Sequence, residues 1–348
     1  MKVGLHYEPN FDFSKRWQRY ESILKYNNVD CERVSSSSDK FIEQSRSLDA
    51  IVWYVGLADA SKQPFYDLLP VLEQELAIKC FPSSNVAWSF DSKNRQIHQM
   101  QAAKFPIVNS RVIYERKSAL ELANNILYPI IFKLSSGAGS LNVVKVNSKK
   151  ELILLINRMF DSGVVTNNMP ASLGYDLIQN IKKKLFIYKS KLANNKLHYS
   201  DLISNWSKQS NYLLLQEYLP NNDFDTRVTT IGNRAFSFRR FNRPGDFRSS
   251  GSGLIDYNTE EIDIRCVKKA LEVSSHFGFE TMAYDFLFDK NNEPVFCEYS
   301  YGYNDEAVYK CPGYWDENLN FIKGNFWPQY LHLKDLLQLP SLKQPKLI

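Results

Sequence analysis

An α/β fold built from two or three packed lobes is the expectation for this chain, and three observations lead to it. At 348 residues the chain is too long for one ordinary hydrophobic core. Its first part alternates strand-like and helix-like segments at the spacing of βαβ units, whereas from Tyr212 onward it is dense in strands. The composition, 44% hydrophobic and 23% charged, is that of an ordinary globular protein, which argues against dominant disorder.

The elements follow in order. In the first lobe, residues 1–90, Met1–Tyr7 reads as a short apolar strand. Phe13–Tyr26 fits a helix with Trp17, Tyr20, Ile23 and Leu24 on one face. Leu48–Val55 is a continuous β-branched and aromatic run, as expected of a strand buried on both sides. Helical Phe65–Leu76 and an apolar turn at Ile78–Pro82 complete the lobe. A second lobe, residues 91–160, carries helices over Ser92–Ala103, Ser118–Leu127 and Lys149–Phe160, with strands over Ile107–Tyr114 and Ile130–Leu134. Residues 161–210 lose clear order and hold IKKK at Ile181–Lys184 among many Ser and Asn. They read as a mobile or peripheral insertion, whose lysines form a solvated face or a surface for an anionic partner. The last lobe, residues 211–348, has strands around YLLLQEYL, DTRVTTIG and RAFSFRRFNR and a helix over Asp263–Phe277. The hairpin MAYDFLFDKNNEPVFCEYS follows, turning at Asp289–Asn292. An aromatic tail from Tyr309 precedes a last helix near Leu331–Leu337.

Several function classes are set aside by composition. The net charge of +5 is too small over this length to point to nucleic acid. Five dispersed cysteines (Cys31, Cys80, Cys266, Cys297, Cys311) show neither a disulfide framework nor zinc-ligand spacing and read as packing residues. No apolar run approaches the roughly 20 residues of a membrane span. The opening MKVGLHYEPN has no basic stretch before an apolar core, so a cytoplasmic location is expected.

Four segments carry the chemistry. In YPIIFKLSSGAGSLNVVKV a strand delivers Lys133 into a loop of small residues around Gly137 and Gly139. Small residues let backbone N–H groups approach phosphate oxygens, and the lysine adds a point charge. A strand follows where a Walker loop needs a helix. The other reading is a glycine hairpin beside an exposed lysine. In LLLQEYLPNNDFDTR an apolar strand ends at Gln216 and Glu217 before Pro220. Glu217 either accepts from an amino group such as that of adenine or faces water at a sheet edge. RRFNRPGDFRSSGSG packs Arg239, Arg240, Arg243 and Arg248 beside glycines, which suits phosphate or carboxylate recognition as well as surface charge. Asp285 and Glu298 lie on the two arms of the predicted hairpin. Facing arms bring their carboxylates together, and like charges that close favour a cation between them, Mg²⁺ being a natural one. Two unrelated surface acids are the alternative.

That order resembles the ATP-grasp superfamily over nearly the whole chain, above all the branch of the ribosomal-protein glutamate ligases. The resemblance implies an N-terminal Rossmann-like pre-grasp domain followed by two grasp lobes. FDSKNRQ, FKLSSGAGS, PNNDFD, DFRSSGSG and CPGYWDENLN further resemble ATP-grasp proteins encoded in bacterial surface-polysaccharide loci. Carried over residue by residue, the resemblance places Lys93 and Lys133 on the α and β phosphates and Gly137 and Gly139 in the loop closing over them. Gln216, Glu217 and Leu219 fall at the adenine hinge and Asp225 on the ribose. Arg227, Arg240 and Arg248 fall near the transferred phosphoryl group, and Asp285 and Glu298 on Mg²⁺. The family's usual Asn two residues after the second metal acid is Ser300 here; the resemblance places its hydroxyl on the metal or a metal-bound water, with a shorter reach that puts a second Mg²⁺ in question.

The implied activity is ATP-dependent ligation of a carboxylate to an amine, ADP-forming, through an acyl phosphate. The substrates implied are small molecules, an amino acid and a sugar nucleotide or glycan precursor bearing a uronic acid or amino sugar. Tyr299, Tyr301, Tyr303, Tyr309, Tyr314 and Trp315 are either stacking platforms for sugar rings or packing of the tail. An ATP-grasp kinase acting on a sugar or polyol hydroxyl and a non-catalytic nucleotide-binding protein of glycan assembly are the alternatives. A homo-oligomer is also compatible with the sequence.

Overall fold

The computed structural model describes residues 1–8, 14–57, 59–137, 142–165 and 208–346. Most of the lysine-rich insertion, and Gly139, lie outside them. The described part folds around three principal sheets.

The first sheet is parallel, in the order β2-β1-β3-β4, from β1 (Lys2–His6), β2 (Asp30–Val34), β3 (Ala50–Trp53) and β4 (Lys79–Phe81). All four residues of β3 are buried, as an uninterrupted apolar run requires when both faces are covered. Helices α1 (Ser14–Tyr26), α2 (Phe41–Ser45) and α3 (Asp59–Gln74) connect these strands. On α1, Tyr20, Ile23 and Leu24 are buried against Val3 and Leu5.

Two helices, α4 (Ser84–Trp88) and α5 (Lys93–Ala102), lead to the second sheet. It is antiparallel, ordered β5-β10-β6-β7, from β5 (Ser110–Ile113), β6 (Ile130–Lys133), β7 (Val143–Val146) and β10 (Leu213–Glu217). Helices α6 (Arg116–Asn125) and α7 (Lys149–Asp161) cover it, and Ser148 caps α7 by accepting from Glu151 N–H. Strands β8 (Val164–Val165) and β9 (Lys208–Gln209) pair across the insertion. Here the structure corrects the expected lobe boundary. Leu213–Glu217 belongs to the second sheet, where it fills the gap between β5 and β6. Its three leucines need cover on both faces, and this position supplies it. The expected strand Ile107–Tyr114 is also divided. Ile107 bridges to Phe296 of the third sheet, and only Ser110–Ile113 forms β5.

The third sheet runs β15-β14-β11-β12-β16-β17, with β13 (Ile255–Asp256) at the side of β12. Its long strands are β11 (Phe224–Ile231), β12 (Arg234–Phe241), β14 (Thr281–Phe288) and β15 (Pro294–Ser300). Helix α8 (Ile264–Phe277) buries Cys266, Val267, Ala270 and Val273 against it and ends at Gly278, whose φ of 66° suits a left-handed cap. The short α9 (Asp305–Tyr309), the hairpin β16 (Gly313–Trp315) and β17 (Phe321–Lys323), and α10 (Pro328–Leu337) finish the chain. One core joins β3 and α3 to this sheet, through Trp53, Phe65, Tyr284, Phe286 and Tyr301.

The tail aromatics are packing residues. Tyr299, Tyr301, Tyr303 and Trp315 are buried, Tyr309 stacks on Trp327 at 4.0 Å, and Tyr314 packs against Phe236 and Phe326. No helix among the described residues is long and apolar enough to cross a membrane.

Candidate active site

A cleft of about 530 Å³ opens between the second and third sheets. Its second-sheet wall holds Lys133 at the end of β6, Gly137 in the following loop, and Gln216 to Leu219 at the end of β10. The third-sheet wall holds Asp225, Asp285, Cys297 and Glu298, and the β12–β13 loop adds Asp246, Phe247 and Arg248. Lys93, the first residue of α5, reaches in from the side. Residues from five parts of the chain thus share one space. Of the residues singled out in the sequence, Lys93, Lys133, Gly137, Gln216, Glu217, Leu219, Asp225, Arg248, Asp285 and Glu298 line it. Arg227, Arg240 and Ser300 do not.

Lys133 sits at the base of the cleft with 6% of its surface exposed. Its Nζ lies 3.5 Å from Cys297 Sγ, and no described carboxylate comes within 4.0 Å of it. Burial opposes the ammonium, but Cys297, Glu298 and Asp285 favour it, and its pKa is raised. Burial pushes the Cys297 thiol up, so it stays neutral at pH 7. The ammonium therefore has only distant counter-charges. Lys93 Nζ donates to Gly137 O at 2.8 Å and stands 3.8 Å from Glu298 Oε2.

The acids and arginines form a row across the third sheet. Pairing sets Glu298 opposite Asp285, Asp285 opposite Arg227, and Asp225 opposite Arg240. Directly opposed residues share a face, so the register itself assembles the row. Arg227 grips Asp285 with two bonds of 2.7 and 2.8 Å. Arg240 grips Asp225 with two of 2.7 and 2.6 Å and reaches Asp285 at 2.7 Å. Burial alone would raise Asp285, but Arg227 and Arg240 outweigh it and hold the carboxyl well below its usual range. Burial pushes Asp225 up to about 6, with Asp285 adding to the rise and Arg240 opposing it.

This row corrects three expectations. Arg227 and Arg240 do not line the cleft, and their Nε and Nη2 donors are held by Asp225 and Asp285. Asp225 is buried with both oxygens in the Arg240 fork, which makes it a poorer partner for ribose hydroxyls than an exposed acid. Asp223 is exposed, lines the cleft and suits that contact better. It lies two residues before Asp225, a spacing visible in DFDTR. Ser300 is the fourth departure: it pairs with Ala283 beyond the cleft, and its hydroxyl accepts from Gly302 N–H at 3.1 Å.

Cys297, read in the sequence as a packing residue, lines the cleft because a bulge places it there. The register between β14 and β15 shifts after Asp285, so Cys297 and Glu298 both reach the cleft despite being consecutive. Gln216 is tied down beside them, donating to Ser110 Oγ at 3.0 Å and Cys297 O at 3.3 Å. Ile131, Val143 and Leu287 make an apolar patch next to Glu217 and Leu219, suited to a flat ring.

The donor set fits one Mg²⁺. Glu298 is a third exposed and only loosely paired to Lys93. Asp285 Oδ1 accepts one bond, from Arg227, which leaves it a lone pair. Among the described residues no three His, Cys, Asp or Glu side chains are placed to hold a metal alone. One or two carboxylates suffice where phosphate oxygens complete the shell.

No protein-family model matches the chain, and no curated protein matches it significantly in sequence. Solved structures do match in three dimensions. A biotin carboxylase–β,γ-ATP complex from Campylobacter jejuni is similar with a TM-score of 0.59 at 14% identity, covering 99% of this chain and 73% of that one. N5-carboxyaminoimidazole synthase from Aspergillus clavatus, in complex with ADP and 5-aminoimidazole ribonucleotide, gives 0.59 at 11% identity, covering 97% and 77%. D-alanine–D-alanine ligase from Bacillus anthracis, complexed with ATP, gives 0.53 at 12% identity, covering 86% of each chain. These are ATP-grasp structures.

The chain has an ATP-grasp fold. At these identities the likeness is one of fold.

Proposed function

We propose that the cleft binds Mg·ATP and that the chain is an ADP-forming ligase joining a carboxylate to an amine. The observation that carries this reading is the Lys133 ammonium, buried at the cleft base without a close carboxylate. That ammonium keeps donors that no described carboxylate takes up, so an anion entering the cleft can pair with it. A triphosphate is a fitting partner, with Lys93 beside it and two acids opposite.

In this reading Lys93, Lys133 and the Gly137 loop hold the phosphates, while Gln216, Glu217 and Leu219 receive the adenine edge. Asp223 takes the ribose in place of Asp225. Glu298 and Asp285 Oδ1 hold Mg²⁺, which neutralises phosphate charge when bound. A substrate carboxylate oxygen attacks the γ-phosphorus, the bond to the bridging oxygen breaks, and ADP leaves. The amine nitrogen then attacks the acyl carbon, phosphate departs, and the amine proton passes to solvent. Arg248, the one arginine of the expected three at the cleft, offsets charge on the moving phosphoryl group. Arg227 and Arg240 position Asp285 for the metal.

For the substrates, the motif resemblance to polysaccharide-locus proteins favours an amino acid joined to a sugar acid or amino sugar, in the cytoplasm. The test is incubation with ATP, Mg²⁺, a nucleotide-uronic acid and mixed amino acids. The reading requires ADP and free phosphate in equal amounts, both dependent on the two substrates. Phosphate retained on a product instead identifies a kinase. A second reading, nucleotide binding without turnover, draws on Ser300, which leaves the metal shell one ligand poorer. ATP binding with no ADP formation across a broad substrate screen would establish it.

A further inference from the structure

The one loop glycine within the described residues already has partners. Gly137 donates its N–H to Asp91 Oδ1 at 2.7 Å, and its carbonyl accepts from Lys93 Nζ at 2.8 Å. The other oxygen of Asp91 accepts from Lys62 Nζ at 2.7 Å, and Lys62 also pairs with Asp59 at 2.9 Å. The group is enclosed: the Asp91 and Lys62 side chains are 5% and 7% exposed. Asp91 also adopts a φ of 48°, a left-handed conformation that persists in a non-glycine residue only when its surroundings hold it there.

Lys62 belongs to the first turn of α3, and its neighbour Ser61 donates to Glu8 Oε2 at 2.6 Å. Glu8 also accepts from Gly56 N–H at 3.3 Å. Glu8 and Gly56 follow β1 and β3, the two strands between which the first sheet reverses its order. Open α/β sheets bind ligands in that crevice. A single carboxylate therefore touches the small-residue loop on one side and, through α3, the mouth of the first sheet on the other.

We propose that Asp91 is a positioning residue that senses the nucleotide, holding the Gly137 N–H, yielding it to phosphate when nucleotide binds, and passing the change through Lys62 to the crevice of the first sheet. This rests on the reading of the cleft as a nucleotide site. A backbone N–H has one proton to give, so carboxylate and phosphate oxygens compete for it. Once displaced, Asp91 keeps Lys62 as its only remaining strong partner. The first turn of α3, and with it the Ser61 bond to Glu8, then responds to nucleotide occupancy.

The test is Asp91→Asn, which tolerates the left-handed backbone and removes the competing charge. Calorimetric titrations in Mg²⁺ with ATP, ADP and adenosine are compared with the wild type. The expected result is about tenfold tighter ATP and ADP, the scale of one charge-assisted bond, with adenosine unchanged. The double variant Asp91→Asn/Lys62→Met removes both buried charges together and must tighten ATP as well, which excludes stray attraction to an unpaired Lys62. Hydrogen exchange gives a second readout: ATP changes protection over residues 59–66 in the wild type and not in Asp91→Asn. Equal or weaker ATP binding by either variant overturns the inference, as does an identical exchange response. A wild type that binds no nucleotide removes the reading of the cleft itself, a separate and recognisable failure.

Discussion

Replacing Lys133 with methionine keeps most of the unbranched side chain, one atom shorter, and deletes its charge. Lys133 is 6% exposed, and among the described residues its ammonium has one hydrogen-bond contact, a neutral thiol at 3.5 Å. In the unliganded protein little depends on that charge, so the melting temperature should move by less than about 1.5 °C, roughly 1 kcal/mol for a chain of this size. With nucleotide the arithmetic differs. A lysine about 4 Å from one phosphate charge gains about 4 kcal/mol at an effective dielectric of about 20. Part of this is offset by stripping water from the phosphate, leaving about 2–4 kcal/mol, or roughly a 30- to 1000-fold loss of affinity. Calorimetry with Mg·ATP measures that loss, and thermal denaturation without nucleotide measures the first quantity. A variant that melts many degrees lower on its own and binds ATP like the wild type would refute the reasoning. Lys133 would then be a structural cation.

Other consequences separate the roles of the charged row. Arg240→Met leaves Asp225 and Asp285 sharing Arg227 alone and should lower stability by about 3–5 kcal/mol in urea denaturation. Arg248→Met should leave stability within about 1 kcal/mol, because its partner Asp246 is only two residues away, yet slow ADP formation about 100-fold. Glu298→Gln should raise the Mg²⁺ concentration for half-maximal activity at least about tenfold, the scale on which even outer-shell ligand partners act. Burial depresses His6 to about 3, so below pH 6.5 the unfolded chain takes up a proton that the folded chain refuses. That stability is present above pH 6.5 and is lost as pH falls towards 3. In urea titrations between pH 7 and 5, His6→Gln should show a shallower loss than the wild type, by up to about 1.4 kcal/mol per pH unit. Equal slopes would contradict a neutral, buried His6.

Much of this architecture is visible in the residues, because periodicity is local. The apolar run at Leu48–Val55 announces a buried strand, and the alternation around Asp285 and Glu298 announces a hairpin. The turn between them brings the two arms together, and the bulge beside Asp285 then sets Glu298 directly opposite it. Pairing between distant segments is another matter. Leu213–Glu217 looks equally at home in either sheet, and only the gap between β5 and β6 decides its place. The arginines show the same limit. Residue type suggests anion recognition, but the register that sets Arg240 opposite Asp225 and Arg227 opposite Asp285 turns both guanidiniums inward. Cys297 depends on a bulge, a one-residue slip that no side-chain pattern announces. Asp91 lies beside Lys93 in FDSKNRQ and reads there as a domain boundary. Its importance comes from a bond to Gly137, 46 positions away.

The central claim is that Lys93, Lys133, Asp285 and Glu298 surround one triphosphate. A crystal structure with Mg²⁺ and a non-hydrolysable ATP analogue measures this directly. The account predicts phosphate oxygens within about 3.5 Å of both lysine Nζ atoms, a metal between phosphate and Glu298, and the adenine edge at Glu217–Leu219. A nucleotide bound elsewhere, or one in the cleft with its phosphates turned away from Lys133, would contradict it.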